Sequence, residues 1–203
     1  ILERDPERFD ITIIGKEPYP NYNRIMLSNI LQNKMTVKET IMNPYEWYEE
    51  NHIQLITGDK VVQIDREKQQ VETEQGQIVG YDQMIIATGS DSFILPIDGS
   101  RLEGVVGFRT IDDTEKMLEI AKTKQKAIVI GGGLLGLECA RGLVDQGMDV
   151  TVVHLAEWLM EVQLDRKAGE LLKKDLEKQG IKFELQANTQ EILGEKNVEG
   201  IRL

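Results

Sequence analysis

The chain carries the sequence IVIGGGLLGLE at residues 128–138, and this stretch decides the fold. It places G-x-G-x-x-G at Gly131, Gly133 and Gly136, between an apolar run that predicts a strand and a following segment that predicts a helix. In a β-α-β unit of this kind, the first glycine makes a tight turn. The second lets the backbone approach a pyrophosphate, and the third lets the helix pack on the strand. The stretch therefore predicts a dinucleotide-phosphate site at a helix N-terminus, and the alternative is a glycine-rich turn that binds no ligand.

The next predicted strand, residues 149–153, ends at the position that distinguishes the two nicotinamide nucleotides. An Asp or Glu there binds the 2′-hydroxyl of NAD, whereas a basic residue suits the 2′-phosphate of NADP. The residue at this position, 23 residues after Gly131, is His154. A neutral imidazole hydrogen-bonds a hydroxyl and a protonated one faces a phosphate, so His154 indicates a nucleotide edge without selecting the nucleotide. The alternative is a surface histidine at a strand end.

A second nucleotide edge is predicted near the start of the chain. Residues 9–15 read as a buried parallel strand ending in Gly15, and Glu17 follows at the place where an acid accepts ribose hydroxyls. The glycine loop that should precede such a strand is not in the sequence, and the alternative for Glu17 is a solvated charge. Residues 198–203 read as a strand with nothing after it to pair with. From these two ends we hypothesise that the chain is a piece of a longer polypeptide.

Between the ends, the pattern changes near residues 95–112. The first part is mixed α/β and includes a fully apolar predicted strand, Met84–Ala87, that leads into Thr88-Gly89. Asp112 or Asp113 is predicted to cap the next helix. After it, strands and helices alternate to about Leu185, which predicts a parallel sheet.

Composition excludes several classes of function. The 203 residues include 24 Lys and Arg against 35 Asp and Glu, a net charge of −11, which argues against a nucleic-acid binder. The one cysteine, Cys139, excludes an intrachain disulfide, and with two His the chain offers no set of ligands for a metal centre. No apolar run is long enough to span a membrane, so we expect a cytoplasmic protein with no membrane partner.

Four motifs occur in an order that resembles the FAD-dependent pyridine nucleotide oxidoreductases. They are Glu17, the segment Tyr22–Ser28, the run Ile85–Gly89 and the glycine loop. Three runs point to a narrower group: Asn21–Ser28, Val152–Leu155 and Leu159–Asp165. By these runs the chain resembles the large subunits of assimilatory NAD(P)H nitrite reductases. The resemblance implies an α/β, two-dinucleotide-binding-domain flavoprotein fold, in which a Rossmann-like NAD(P)H domain is inserted into a Rossmann-like FAD domain, here truncated at both ends. It divides the chain into a partial FAD-binding domain, residues 1–110, and a partial NAD(P)H-binding domain, residues 111–203.

The resemblance also assigns cofactor contacts. It implies that Glu17 binds the FAD ribose, that Arg24 lies beside the flavin pyrophosphate or ring, and that Val61 meets the adenine through its backbone. It places Glu138 on the helix that lines the nicotinamide pocket. The remaining cofactor-binding residues implied are Ala87, Thr88 and Gly89 for FAD and Gly131, Gly132, Gly133, Leu134, Leu135 and Gly136 for the NAD(P)H pyrophosphate.

By this resemblance, hydride passes from NAD(P)H to FAD, and electrons continue to 4Fe-4S and siroheme centres outside these residues. The partners implied are NAD(P)H and downstream redox domains of the same polypeptide or a small subunit, with a homodimer as a further expectation. No catalytic side chain is nominated, because hydride transfer itself needs no acid or base. Two alternatives remain: a rubredoxin- or ferredoxin-type flavoprotein reductase, and a nucleotide-binding module without turnover. Whether these residues alone retain FAD is open as well.

Overall fold

The computed structural model describes residues 1–203 as ten strands, six α-helices and one 3-10 turn at Arg24–Met26. The helices are α1 (Leu27–Leu31), α2 (Val37–Thr40), α3 (Tyr45–Glu50), α4 (Ile111–Ala121), α5 (Leu134–Asp145) and α6 (Arg166–Lys178). The strands are β1 (Ile11–Gly15), β2 (Ile53–Thr57), β3 (Val61–Asp65), β4 (Gln70–Thr73), β5 (Ile78–Gly80), β6 (Lys126–Ile130), β7 (Asp149–His154), β8 (Ile181–Leu185), β9 (Glu191–Leu193) and β10 (Gly200–Arg202).

Residues 1–23 and 38–90 form the first of two compact units. In it β1 and β2 pair in parallel, from Ile11 opposite Ile53 to Gly15 opposite Thr57. Strands β3, β4 and β5 form a separate antiparallel sheet. The predicted parallel strand near the start of the chain is therefore present, and its carboxyl end leads directly to Glu17.

Residues 24–37 and 91–203 form the second unit. Its parallel sheet has the order β6-β7-β8, with α5 connecting the first two strands and α6 connecting the last two. This is the predicted β-α-β-α-β alternation, and the observed strands confirm it. The last strand, β10, pairs antiparallel with β9, which precedes it in the chain.

The core of the second unit lies between its sheet and α5. Val150 and Val152 of β7 and Ala140 of α5 are fully buried. Helix α1 packs on α5 at Gly142, where an added Cβ would lie 2.6 Å from Cγ of Leu31. The helix that follows the glycine loop is thus held from both sides, which fixes the direction of its N-terminus.

Helix α4 begins differently from the prediction. Thr110 is the N-cap: its side chain accepts from the Asp113 N–H at 3.0 Å, and the Asp113 carboxylate accepts from the Thr110 N–H at 3.0 Å. This reciprocal pair satisfies two backbone donors at once. The N-cap therefore lies two residues before the predicted Asp112, and Asp113, the other predicted cap, lies inside the first turn.

The predicted strand Met84–Ala87 is wrong as a strand. These residues have no regular structure, and Ile85 and Ile86 are exposed by 82% and 65%. An apolar strand of a parallel sheet is stabilised by neighbours on both sides, and β1 and β2 pair only with each other. The apolar pattern was read correctly, but no strand among residues 1–203 pairs with it.

The two units differ from the predicted limits of the nucleotide domains. Residues 24–37 and 91–110 pack with the second unit, whereas the prediction assigned them to a domain ending at residue 110. Units defined by packing need not coincide with domains defined by the cofactor they bind, so the limits at 1–110 and 111–203 stay a prediction.

Candidate functional site

The glycine loop joins the carboxyl end of β6 to the first turn of α5. Gly131 has φ +118°, a conformation that L side chains rarely adopt, and its N–H donates to the Val153 carbonyl of β7 at 2.8 Å. The turn is therefore tied to the neighbouring strand, and it sends the chain straight into the helix.

Gly136 allows the helix to approach the loop closely. A Cβ at this position would lie 2.1 Å from the Gly131 carbonyl oxygen, so no larger residue fits without a backbone shift. Gly133 is the opposite case. Nothing lies within 4 Å of the Cβ position there, and its φ of −85° suits any residue. The fold thus requires a glycine at 136 but leaves open space at 133.

The open space at Gly133 lies at the N-terminus of α5. Gly133 is the N-cap, and no side chain caps the first turn. Leu134 and Leu135, the next two residues, are exposed by 56% and 52%. An uncapped helix N-terminus presents free N–H donors and the positive end of the helix dipole, which is the environment that a phosphate requires. The predicted loop residues therefore fit a pyrophosphate.

His154 lies beneath this loop rather than on an open edge. It is 9% exposed, and its Nδ1 accepts a hydrogen bond from the Gly132 N–H at 3.1 Å. Because that N–H can only donate, the imidazole proton is on Nε2, which lies 2.9 Å from Glu161 Oε2. A Cβ on Gly132 would lie 2.8 Å from the His154 ring, so a larger residue at position 132 would collide with the imidazole. The structure thus brings the predicted Gly132 and His154 into direct contact.

Glu161 belongs to one of the runs that carry the family resemblance, but the sequence assigned it no role at the site. It lies seven positions beyond the strand end, outside the window where an acid is ordinarily sought. The preceding residue, Met160, donates its N–H to the Gly132 carbonyl at 3.0 Å and has φ +55°. This left-handed turn directs Glu161 back toward the glycine loop.

Two residues of α5 complete the surroundings of the loop. Glu138, on the second turn, is partly exposed, and burial raises the pKa of its carboxyl. Cys139 is 5% exposed, and burial raises the pKa of its thiol to about 12. Its Sγ lies 3.8 Å from Met117 Sδ. Cys139 is therefore a packed, un-ionised thiol, which is unsuited to redox chemistry.

In the first unit, Glu17 follows the end of β1 by two residues. The Gly58 N–H donates to the Glu17 carbonyl at 2.9 Å, and the Tyr22 hydroxyl donates to Glu17 Oε2 at 2.6 Å. A carboxylate held at the carboxyl end of a parallel strand is the arrangement that accepts ribose hydroxyls, so the residues fit the predicted role. Tyr22 was noted in the sequence only as part of a motif, and its contact with Glu17 is new.

The other residues predicted to contact FAD lie in varied settings. The Arg24 guanidinium donates to the Arg109 carbonyl within the second unit. Val61 begins β3, opposite Thr73. The last group, Ala87, Thr88 and Gly89, lies in exposed chain without regular structure, and Gly89 has φ +65°. Their roles in FAD binding stay predictions.

The structure contains neither a cluster of metal-ligating side chains nor a helix that could span a membrane. No group of three or more His, Cys, Asp or Glu side chains is arranged to hold a metal ion. No helix has the length and apolar character needed to cross a membrane. The dinucleotide-type loop is therefore the feature with the clearest chemistry.

Fold and site together define an α/β chain with a dinucleotide-type glycine loop after a parallel strand. A model of the pyridine nucleotide-disulphide oxidoreductase family matches residues 2–202, and the chain belongs to that family. Solved structures agree. A ferredoxin reductase from Rhodopseudomonas palustris matches 98% of this chain and 50% of its own, with TM-score 0.89 and 27% identity. The NADH:rubredoxin oxidoreductase of Clostridium acetobutylicum matches 88% of this chain and 47% of its own, with TM-score 0.78 and 32% identity. The predicted fold class is confirmed.

Curated relatives narrow the likeness. The chain is 54% identical over 202 residues to the NAD(P)H nitrite reductase of Bacillus subtilis, covering 100% of this chain and 25% of that protein. It is 46% identical over 194 residues to the assimilatory nitrate reductase electron transfer subunit of the same organism, covering 96% of this chain and 25% of that protein. The chain thus spans about a quarter of the length of these relatives. The predicted resemblance to the nitrite reductase family is confirmed.

Proposed function

We propose that this chain is the electron-input part of an assimilatory nitrite reductase, in which NAD(P)H reduces FAD and electrons continue to iron–sulfur and siroheme centres elsewhere. The observation that carries the proposal is the glycine loop: it requires glycine at 136, is open at Gly133 and ends in an uncapped helix N-terminus. The 54% identity to a nitrite reductase supports nitrite as the terminal electron acceptor.

In this proposal, the chain's own residues position the nucleotides. The loop from Gly131 to Gly136 binds the NAD(P)H pyrophosphate with backbone N–H groups and the helix dipole. Glu138 lines the nicotinamide side of α5. When bound, FAD supplies the hydride acceptor and the one-electron donor, which no side chain of this chain provides.

On the FAD side, Glu17 accepts ribose hydroxyls while Tyr22 holds its carboxylate in place. Arg24 supplies positive charge beside the flavin pyrophosphate or ring, and Val61 contacts the adenine through its backbone. The segment Ala87–Gly89 passes close to the cofactor, where a glycine with positive φ permits backbone approach.

The experiment is anaerobic titration of the full polypeptide, as its gene encodes it, with NADH and NADPH. We expect flavin absorbance at about 450 nm that one of the two nucleotides bleaches, followed by reduction of added nitrite to ammonia. A protein that binds the nucleotide without bleaching is a binding module, and one that reduces rubredoxin or ferredoxin but not nitrite is another kind of reductase. Either result overturns the proposal.

The variant Gly133→Ala separates the ligand's needs from those of the fold. Nothing in the protein lies within 4 Å of the new methyl group, so the free energy of unfolding should change by less than about 0.5 kcal/mol. The methyl group would stand where the pyrophosphate approaches, and we expect NADH binding at least about tenfold weaker. The matched control is Gly200→Ala on β10, where the Cβ position also has no neighbour within 4 Å. Equal binding by the two variants would contradict the assigned phosphate site.

A further inference from the structure

The segment that follows β7 is strongly acidic. Residues 155–165, LAEWLMEVQLD, contain Glu157, Glu161 and Asp165 and no Lys, Arg or His. Asp165 caps α6 by accepting from the Ala168 N–H at 2.8 Å. Glu157 lies 3.4 Å from an Arg166 nitrogen. Of the three acids, Glu161 is the one that turns toward the glycine loop.

The strand-end residue itself has no free hydrogen-bonding capacity. Both ring nitrogens of His154 are engaged, one by the Gly132 N–H at 3.1 Å and the other by Glu161 Oε2 at 2.9 Å. The imidazole is also buried, with its side chain 10% exposed. His154 therefore holds other groups in place and does not present a polar atom to a nucleotide.

Glu161 has the capacity that His154 lacks. Its side chain is 37% exposed, and Oε2 is the oxygen that faces His154. A carboxylate has about four lone-pair positions on two oxygens, so acceptor capacity remains after one hydrogen bond. Two links keep it beside the glycine loop: the His154 hydrogen bond, and the hydrogen bond at 3.0 Å from the N–H of neighbouring Met160 to the Gly132 carbonyl. An acid is thus supplied at the strand end by a residue seven positions further on.

We propose that Glu161, positioned by His154, accepts the adenosine ribose hydroxyls and selects NADH over NADPH; this rests on the proposed nucleotide site. A carboxylate accepts hydrogen bonds from the 2′- and 3′-hydroxyls of NADH. A 2′-phosphate brings almost two negative charges to the same place, where it meets Glu161 and no basic residue of the segment 155–165. The first basic residue after the segment, Arg166, forms ion pairs with Glu157 and Glu170.

The test is calorimetric titration of the full polypeptide with ADP-ribose and with 2′-phospho-ADP-ribose, which require neither hydride transfer nor flavin. We expect the native protein to prefer ADP-ribose. In Glu161→Gln, the affinity for ADP-ribose should fall about tenfold, as for loss of a charge-assisted hydrogen bond. The ratio of the affinities for ADP-ribose and 2′-phospho-ADP-ribose should fall with it. The control Glu177→Gln removes an equally charged, exposed residue at the far end of α6 and should change neither value.

A second variant tests the positioning role of His154. In His154→Asn, the amide oxygen stands near the Nδ1 position and still accepts from the Gly132 N–H, but the link to Glu161 is lost. We expect the preference for ADP-ribose to narrow as in Glu161→Gln, and the double variant to add little more. A merely structural role would lower affinity for both ligands equally and leave the preference unchanged.

The outcomes separate this inference from the proposed function. An unchanged preference in Glu161→Gln overturns the inference even if NADH bleaches the flavin. A native preference for 2′-phospho-ADP-ribose overturns it as well. A preference that narrows as expected, in a protein whose flavin NADH does not bleach, supports Glu161 and overturns the proposed electron transfer instead.

Discussion

The carboxyl ends of β1 and β7 each have a glutamate carboxylate held beside them, but the two carboxylates are positioned in different ways. After β1, the acid follows the strand directly: Glu17 is two residues beyond it, and the Tyr22 hydroxyl holds its carboxylate. At the end of β7, the corresponding residue is His154, and the acid, Glu161, arrives from the following segment. At the end of β1, the first end, the strand and one tyrosine position the carboxylate. At the end of β7, the second end, a histidine, a left-handed turn and a loop are needed to position it.

The difference shows how the same charge is placed at different structural cost. Glu17 lies two residues beyond its strand, and one hydroxyl, that of Tyr22, holds its carboxylate. A glutamate seven residues away is positioned by hydrogen bonds, and each of them runs through Gly132 or His154. We therefore expect the second end to depend on the glycine loop and the first to be independent of it.

The largest effect is expected from Gly136→Ala, which displaces the glycine loop that supports the carboxyl end of β7. The added Cβ would lie 2.1 Å from the Gly131 carbonyl oxygen, so the loop must shift. We expect the free energy of unfolding to fall by about 3 kcal/mol and NADH binding to be lost. Urea unfolding and NADH titration measure the two effects, and Gly200→Ala serves again as the control. Retention of FAD should be unaffected at 4 °C, and loss of both cofactors together would contradict the independence of the two ends.

A smaller effect is expected from two variants that test the first end. Glu17→Gln removes the negative charge, and we expect FAD to dissociate about tenfold more readily. Tyr22→Phe keeps the charge and removes only the hydroxyl that donates at 2.6 Å, so a change of about threefold should follow. Both are measured by fluorescence of released FAD. The order of the two effects is the sharp result: if Tyr22→Phe is the more damaging, the tyrosine rather than the carboxylate is the principal group.

The smallest effect on activity is expected from Cys139→Ala, which probes the helix behind the glycine loop. The thiol should not react with a thiol reagent at pH 8 until the chain unfolds, because it is 5% exposed and its pKa is about 12. NADH oxidation should be unchanged in the variant. Rapid reaction of the native thiol would show that the core behind the loop opens.

The same variant gives a pH-dependent difference in stability. In the unfolded chain the thiol ionises above pH 9, whereas in the folded chain it stays protonated to about pH 12. The unfolded state therefore binds fewer protons in that window, and the wild type loses stability as the pH rises through it. By pH 10.5 the loss relative to Cys139→Ala should reach about 2 kcal/mol in urea unfolding. Parallel stability curves for the two proteins would contradict the raised pKa.

Local sequence pattern was sufficient to predict the strands and helices of the parallel sheet in the second unit. It was insufficient to predict which side chains meet beside the glycine loop. The run at residues 128–138 predicted β6, the loop and α5, because periodicity and glycine spacing are local properties of the chain. The contact between His154 and Glu161 could not be predicted in the same way, because it depends on a turn at Met160. Met160 has φ +55°, and a methionine gives no sequence signal for that left-handed conformation. A loop of three acids without a base was visible in the sequence and is the signal that could have directed attention there.

In the first unit, the limit was tertiary context. The strand ending at Gly15 and the acid after it were predicted from β-branched residues and position. Met84–Ala87 has an equally strong apolar pattern but forms no strand, because pairing depends on neighbours and not on composition. The Tyr22 contact with Glu17 was missed for the same reason: two residues five apart in a turn-rich segment have no fixed spatial relation until the fold exists.

The hydrogen bond from Gly132 to His154 has a consequence for protein engineering. It connects the amide of the phosphate loop to the group that holds Glu161, so the phosphate and ribose ends of a nucleotide would be read by one continuous chain of bonds. A designer who wished to reverse the coenzyme preference could not do so by exchanging the strand-end residue alone, because that residue also supports the loop. We expect successful redesigns to change His154 and Glu161 together, and single exchanges to narrow the preference between the two coenzymes without reversing it.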